Sequence, residues 1–217
     1  MRFNRIEMET WKRKNLFLHF IREVKCVMAL NADIDVTDLV RRCKQTHHRF
    51  YPVYIYLTAK VVNNHEEFRM GFDENGDVGI WDSVDPSYIV FHPEDESFTR
   101  LITGFNLDFK IFYKEVIHDM EDHECKRGLE IPYPNKNYFD VSCLPWISYH
   151  SFDMHIYDEG TYLAPVITWG KYEKKGDQIV MPLTLQIHHA AADGFHAARF
   201  FAELEEEGRR LGEALLK

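Results

Sequence analysis

Apolar residues recur at intervals of three and four in several stretches of the chain, which predicts amphipathic helices. One helix should begin near Asp35 or Thr37, since either side chain can cap a first turn. A second is predicted over residues 105–120. A third should follow Asp193 and Gly194, with one apolar side made of Ala197, Phe200, Phe201, Leu204, Leu211 and Leu215. The continuous apolar run over residues 53–62 is long enough to favour helix over strand.

Other stretches show strand composition. Short runs rich in aromatic and β-branched residues lie between turn-forming residues, at positions 79–81, 88–91, 141–147 and 163–167. In residues 179–189, apolar side chains alternate with polar ones at a period of two, so that Leu185, Ile187 and His189 should share one face. Helices and strands together predict an α/β fold.

Composition limits the class of protein. The 217 residues, 45% of them hydrophobic, suffice for one substantial core, so we expect a single domain over residues 1–217. The formal charge of -9 argues against a general nucleic-acid or anionic-membrane binder, because such proteins usually carry positive surfaces. An anionic ligand would therefore need a local basic patch.

The N-terminal residues and the cysteines indicate the compartment. Charged residues interrupt the first eleven positions, where a secretory signal has its apolar stretch, and no later run is long enough to cross a bilayer. The four cysteines are far apart and show no CxxC spacing. We therefore expect a cytoplasmic protein with free thiols.

The most informative motif occupies positions 188–194 and reads His-His-Ala-Ala-Ala-Asp-Gly. A histidine at a strand end is more often a satisfied core residue than a catalyst. Here, however, Asp193 lies four residues after His189, immediately before a glycine and a predicted helix, and can fix the turn that presents the imidazole. A neutral imidazole is suited to removing a proton from a hydroxyl group. The motif therefore predicts His189 as a general base.

This motif resembles the signature of the coenzyme A-dependent acyltransferases. Further segments, in order and over essentially the whole chain, look like the type A chloramphenicol acetyltransferases. They are residues 11–14 (Trp-Lys-Arg-Lys), 50–52 (Phe-Tyr-Pro), 67–70 (Glu-Phe-Arg-Met), 80–86 (Ile-Trp-Asp-Ser-Val-Asp-Pro), 90–92 (Val-Phe-His), 145–146 (Pro-Trp), 151–153 (Ser-Phe-Asp), 170–172 (Gly-Lys-Tyr) and 193–196 (Asp-Gly-Phe-His).

The resemblance implies a two-layer α/β sandwich, a mixed sheet covered by helices, that assembles as a homotrimer with active sites at the subunit boundaries. It also implies acetyl transfer from acetyl-CoA to chloramphenicol through a ternary complex without an acyl-enzyme. His189 of one subunit would act on an acceptor held mostly by its neighbour.

The resemblance assigns further catalytic roles. It implies that Ser142 donates to the oxyanion, that Thr168 holds a water against the transition state, and that Arg13 and Asp193 form a buried pair ordering the active-site turn. Considered alone, Thr168 is equally an ordinary strand residue. Ser148, after the Pro-Trp pair, has no such role.

Matched positions also suggest binding residues. The acceptor pocket would be lined by aromatic and apolar side chains, namely Phe20, Phe98, Phe105, Phe152, Met154 and Tyr162. As residue types these could equally be core. Coenzyme A would be bound by two cations and two aromatic rings, namely Arg49, Lys171, Tyr51 and Tyr172. Metal binding is not expected, because the histidines show no metal-ligand spacing.

The sequence departs from the family pattern at His19, Met154 and Ala192. The first two leave open an acetyltransferase for another hydroxylated small molecule. A catalytically silent homologue that binds an amphenicol or coenzyme A is a third hypothesis, against which the intact His189, Ser142 and Asp193 argue.

Overall fold

The computed structural model describes residues 2–129, 137–156 and 160–215. Its α-helices are α1 (Lys14–Leu18), α2 (Thr37–Thr46), α3 (Phe50–Asn63), α4 (Phe109–Asp122) and α5 (Gly194–Ala214). Its strands are β1 (Phe3–Arg5), β2 (Val27–Asp35), β3 (Met70–Phe72), β4 (Val78–Trp81), β5 (Asp85–His92), β6 (Ser97–Ile102), β7 (Tyr138–Leu144), β8 (Val166–Gly170), β9 (Glu173–Lys175) and β10 (Gln178–His188). A π-helical turn, His19–Val24, follows α1, and a 3₁₀ turn, Glu66–Phe68, follows α3.

The main sheet is mixed. Its strands run in the order β2-β10-β8-β7-β5-β6, with β9 pairing to β10. Strands β5, β7 and β8 are parallel, and the other pairings are antiparallel. A second, small antiparallel sheet has the strand order β1-β4-β3. The α/β fold class, a mixed sheet with helices packed on it, is confirmed.

The helices bury one face of the main sheet. Helix α3 is almost entirely buried, and α5 buries a stripe that includes Ala197, Phe200 and Leu204. Strand β10 contributes Leu183, Leu185 and Ile187, each at most 1% exposed, so the predicted alternation places these side chains in the core. No helix in the described part of the chain is long and apolar enough to span a bilayer.

The opposite face of the sheet is polar yet also largely buried. Thr184, Gln186 and His188 of β10 are each at most 3% exposed. The Tyr149 hydroxyl lies 3.0 Å from Thr184 Oγ1 and donates to the Thr168 carbonyl at 2.7 Å. The backbone N–H of Met154 donates to Gln186 at 3.2 Å. The loop after β7 is therefore tied across this face by hydrogen bonds.

Several predicted boundaries were shifted, each for a local reason. Helix α4 begins at Phe109, because the Asp108 carboxylate accepts from the N–H groups of residues 110 and 111. Strand β7 ends before Pro145 and β8 begins after Pro165, since proline has no N–H to donate to the ladder. Strand β10 ends at His188, so the prediction that His189 continues the strand face was wrong by one residue.

Candidate active site

His189 lies in the turn between β10 and α5. Its N–H donates to the Cys26 carbonyl at 2.8 Å, and its ring stacks on Phe20 with centroids 4.0 Å apart and planes 17° apart. Ring atom Nδ1 is 3.0 Å from the Ala192 carbonyl oxygen. Because a carbonyl can only accept, Nδ1 carries the hydrogen and Nε2 of the neutral ring keeps a free lone pair. That tautomer can act as a base at Nε2.

Asp193 fixes the turn that carries this imidazole. It is the N-cap of α5, where its Oδ1 accepts from Phe195 N at 3.1 Å. Its Oδ2 accepts from Arg13 Nη1 at 3.0 Å. Burial alone would raise the pKa of the carboxyl, but the Arg13 hydrogen bond and the charges of His196 and Arg13 outweigh burial and lower this pKa. Asp193 is therefore an anion at neutral pH.

Arg13 and Asp193 meet as a pair, although they are less buried than the resemblance implies. In the single chain their side chains are 24% and 32% exposed. Atoms Nε and Nη2 of Arg13 are nevertheless buried and have no hydrogen-bond partner within the described residues. The pair joins the residue preceding α1 to the first turn of α5.

Ser142 and Thr168 lie side by side in the main sheet. They are direct partners in the parallel pairing of β7 with β8, and Thr168 is in turn opposite Thr184 of β10. Directly opposed residues project from the same face, so both hydroxyls lie on the polar face of the sheet. Thr168 Oγ1 is buried without a hydrogen-bond partner within the described residues. The Thr168 hydroxyl thus keeps unused hydrogen-bonding capacity beside Ser142.

His189 and the hydroxyl pair are far apart within one chain. His189 follows Thr184 by five residues. At about 3.3 Å per residue, the His189 turn lies roughly 16 Å along the strand from the level of Thr168 and Ser142. One chain therefore does not bring the predicted base and the predicted oxyanion donor to a common point.

An apolar groove runs along the carboxyl ends of the parallel strands. One part, about 510 Å³ in volume, is lined by Ser142, Phe98 and Trp146, among others. A second part of about 370 Å³ is lined by Lys171 and Tyr172. The two parts share three residues, Tyr51, Cys143 and Pro145. Three of the four predicted coenzyme A residues therefore line one groove that also reaches Ser142.

Two local features shape the Lys171 end of the groove. The Lys171 N–H donates to the Ile147 carbonyl at 2.8 Å, which brings the loop after β7 over the end of β8. A side chain at Gly170 would meet that same carbonyl at 2.7 Å, so the close approach requires glycine. Arg49, the fourth predicted residue, is exposed at the N-cap of α3, one residue before Phe50 of the groove wall.

The structure distributes the predicted acceptor residues over several places. Met154 and Tyr162 line a cavity of about 310 Å³ on the polar face of the sheet, beside Gln186 and His188. The Phe152 N–H donates to Asn31 Oδ1 at 3.0 Å in the same region. Phe98 lies in the groove, Phe20 on the His189 ring, and Phe105 against the core rings of Tyr56 and Phe112.

Sequence reasoning did not identify several residues of the site. Asn31 and Gln186 hold the backbone of the loop after β7 through their side-chain amides. Cys143 and Trp146 line the groove. The Pro-Trp motif was a usable signal for Trp146, whereas the amide side chains gave none, because their role depends on strand pairing. Within the described ranges, no three His, Cys, Asp or Glu side chains form a metal-binding group.

Comparison with known proteins gives full-length matches. A family model described as chloramphenicol acetyltransferase matches residues 1–205. The chloramphenicol acetyltransferase of Clostridium butyricum is 43% identical over 208 residues, covering 95% of this chain and 94% of that protein. That of Staphylococcus aureus is 36% identical over 218 residues, covering 100% of both. Chloramphenicol acetyltransferase 3 of Escherichia coli is 35% identical, covering 95% of this chain and 97% of that protein.

Solved structures give the same fold. A chloramphenicol acetyltransferase is similar with a TM-score of 0.83 at 22% identity, covering 94% of this chain and 99% of that chain. The dihydrolipoamide acetyltransferase of Azotobacter vinelandii has a TM-score of 0.64 at 14% identity, covering 92% of this chain and 88% of that chain. At these identities the two structures establish the fold alone.

Proposed function

The chain belongs to the chloramphenicol acetyltransferase family, and from this premise we propose that it transfers an acetyl group from acetyl-CoA to a hydroxyl of chloramphenicol. One observation supports the proposed chemistry. The Ala192 carbonyl holds the His189 ring in the tautomer that leaves Nε2 free to accept a proton, and Phe20 stacks on the ring. Such a base typically contributes about two to four powers of ten in rate.

The proposed reaction proceeds in a ternary complex. His189 Nε2 takes the proton of the acceptor hydroxyl as the oxygen attacks the thioester carbonyl. The Ser142 hydroxyl donates a hydrogen bond to the resulting oxyanion, and Thr168 holds a water beside it. The intermediate then collapses, the carbon–sulfur bond breaks, and the departing CoA sulfur takes the proton from the imidazolium. The products are the acetyl ester and free CoA.

The groove chemistry supports a route without an acyl-enzyme. Cys143 is the thiol that lines the groove next to Ser142. Burial raises the pKa of this thiol to about 12. The thiol therefore stays protonated near neutral pH and is a poor nucleophile toward a thioester.

We further propose a homotrimer whose active sites lie between subunits, with His189 from one chain and Ser142 and Thr168 from the next. The separation of roughly 16 Å along β10 supports this, because one chain alone leaves base and oxyanion donor apart. Arg13 and Asp193 would hold the His189 turn within its own chain. We propose that residues 1–217 form one domain of this cytoplasmic enzyme.

The binding sites follow from the same arrangement. Acetyl-CoA would lie in the groove, with its acetyl end at Ser142 and its phosphates near Lys171 and Arg49 at the start of α3. Helix N-termini and cations both favour phosphate. Tyr51 and Tyr172 would contact the rest of the cofactor. The acceptor would lie on the polar sheet face beside Phe152, Met154 and Tyr162. Phe98 would border it from the groove, and Phe20 would belong to the chain that supplies His189. Phe105 packs against Tyr56 and Phe112 and is not proposed to contact the acceptor.

The test is a thiol-release assay with acetyl-CoA, with and without chloramphenicol. We expect release only with chloramphenicol, unchanged by a chelator, because the proposed chemistry uses side chains alone. A His189→Ala variant should lose about two to four powers of ten in turnover while still binding chloramphenicol. Turnover of unrelated alcohols as fast as chloramphenicol would favour a different acceptor, and binding without thiol release would indicate a silent homologue.

A further inference from the structure

The 3₁₀ turn Glu66–Phe68 is clamped against one stripe of α5. Phe68 packs edge-on against Phe200 with centroids 5.7 Å apart. His65 Nε2, just before the turn, is 2.7 Å from Glu203 Oε2. We call the contacts of residues 65, 67 and 68 with α5 the clamp. Because Phe200 and Glu203 lie on successive turns of the same helix side, the clamp holds the first half of α5.

Glu67 is the member of the clamp nearest to the His189 turn. Its carboxylate binds Arg199 through Nη2, and its Oε1 lies 3.8 Å from His196 Nε2. The Glu67 side chain is only 15% exposed. A carboxylate placed against the first turns of a helix is also favoured by the helix dipole. Glu67 therefore meets the start of α5 through two side chains.

His196 connects Glu67 to the cap of α5. Its Nδ1 lies 3.1 Å from the Asp193 N–H and 2.8 Å from Asp193 Oδ1. One ring atom cannot accept from the N–H and donate to the carboxylate at once: Nδ1 accepts when the ring hydrogen is on Nε2, and it donates when it carries a hydrogen itself. In either state, the His196 ring lies in contact with both Asp193 and Glu67.

We propose that Glu67 and His196 are positioning residues for the acyl-transfer step, an inference that rests on the proposed function. A continuous series of contacts runs from Glu67 through His196 to Asp193, which caps the helix and binds Arg13. The turn that Asp193 fixes carries His189, whose Nδ1 bonds to the neighbouring Ala192 carbonyl. Weakening these contacts should displace the His189 imidazole without removing any contact to either substrate.

The test compares Glu67→Gln with Glu203→Gln. Both replacements remove one carboxylate of the clamp at constant size, but Glu203 lies about two helical turns beyond His196. For Glu67→Gln we expect kcat to fall on the order of tenfold, with the KM of each substrate within about twofold, since small displacements of a catalytic group reduce turnover rather than binding. Glu203→Gln should keep wild-type kcat. An equal kcat loss in both variants, or none in Glu67→Gln, would overturn the proposal.

Hydrogen exchange of the peptide over residues 189–198 provides a readout independent of turnover. We expect faster exchange there in Glu67→Gln and no change in Glu203→Gln. An inactive wild type would refute the proposed function, while the comparison of exchange rates would still decide whether Glu67 holds the turn.

If Glu67→Gln does not fold, His196→Asn, whose Oδ1 can still accept from Asp193 N, should retain most of the kcat that His196→Ala loses. Equal activities of these two variants would count against the role of His196.

Discussion

At the scale of single residues, the chemistry depends on how side chains are held. His189 is held on its Nδ1 edge by a carbonyl and on one face by Phe20. Phe20 was expected in the acceptor pocket on the basis of matched position. Its stacking on the His189 ring of its own chain shows that it also packs against the turn that carries the proposed base. The residue type of Phe20 did not indicate this contact with His189, which only the structure shows.

Ser142 gives a prediction at this scale. Ser142→Ala removes the proposed oxyanion donor, so kcat should fall about 10² to 10³-fold, or roughly 3 to 4 kcal/mol in barrier. The matched control is Ser148→Ala, six positions later in the loop after β7, which should stay within about twofold of wild type. Steady-state kinetics with both substrates would check this. Similar losses in both variants would mean that the loop, and not the Ser142 hydroxyl, is important.

At the scale of elements, the groove results from the parallel direction of three strands. Strands β5, β7 and β8 are parallel, so their carboxyl ends meet at one edge, where α3 begins. In α/β sheets, ligands commonly bind outside the carboxyl ends of the strands. Arg49 makes no side-chain cap hydrogen bond to α3, and Phe50 and Tyr51 of its first turn line the groove. An anionic ligand is therefore suited to this edge despite the negative net charge.

Lys171 tests this assignment. Lys171→Ala should raise the KM for acetyl-CoA about five- to tenfold, since a phosphate contact of this kind contributes on the order of 1 kcal/mol, and should leave the KM for chloramphenicol unchanged. Lys174→Ala, on exposed β9, is the control for charge alone. The Lys171 effect should shrink as ionic strength rises. A rise in the KM for chloramphenicol would instead assign Lys171 to the acceptor side.

At the scale of the whole molecule, the region of the groove and of the loop after β7 is only partly covered by its own chain. Large apolar side chains remain exposed near the groove and the loop after β7, among them Trp146 at 60% and Phe98 at 44%. Together with the separation of His189 from Ser142, this exposure fits a site that a second chain completes.

Subunit complementation tests the shared site. Chains carrying His189→Ala and chains carrying Ser142→Ala, refolded together in equal amounts, should recover about a quarter of wild-type activity, because about a quarter of the interfaces pair the two intact residues. Each variant refolded alone provides the baseline. Activity that stays at the mean of the two baselines would place both residues of each site in one chain.

The sequence by itself determined the parts of this protein that local patterns encode. Period-two alternation placed Leu185 and Ile187 in the core, and helical periodicity identified the buried side of α5. The spacing of His189 and Asp193 predicted the turn between β10 and α5, because its hydrogen bonds span only a few residues. Strand β2 was missed, since the β10 strand that pairs with it is distant in sequence. Strand β6 was missed although it forms a hairpin with the neighbouring β5.

Only the tertiary structure decided what depends on distant pairing. It placed Ser142 beside Thr168 through the parallel register of β7 and β8, separated both from His189, and joined Tyr51 to Lys171 in one groove. It also joined the Glu-Phe-Arg-Met segment to α5 through Glu67 and Arg199. Such contacts follow from the order and direction of strands, which local side-chain patterns do not specify.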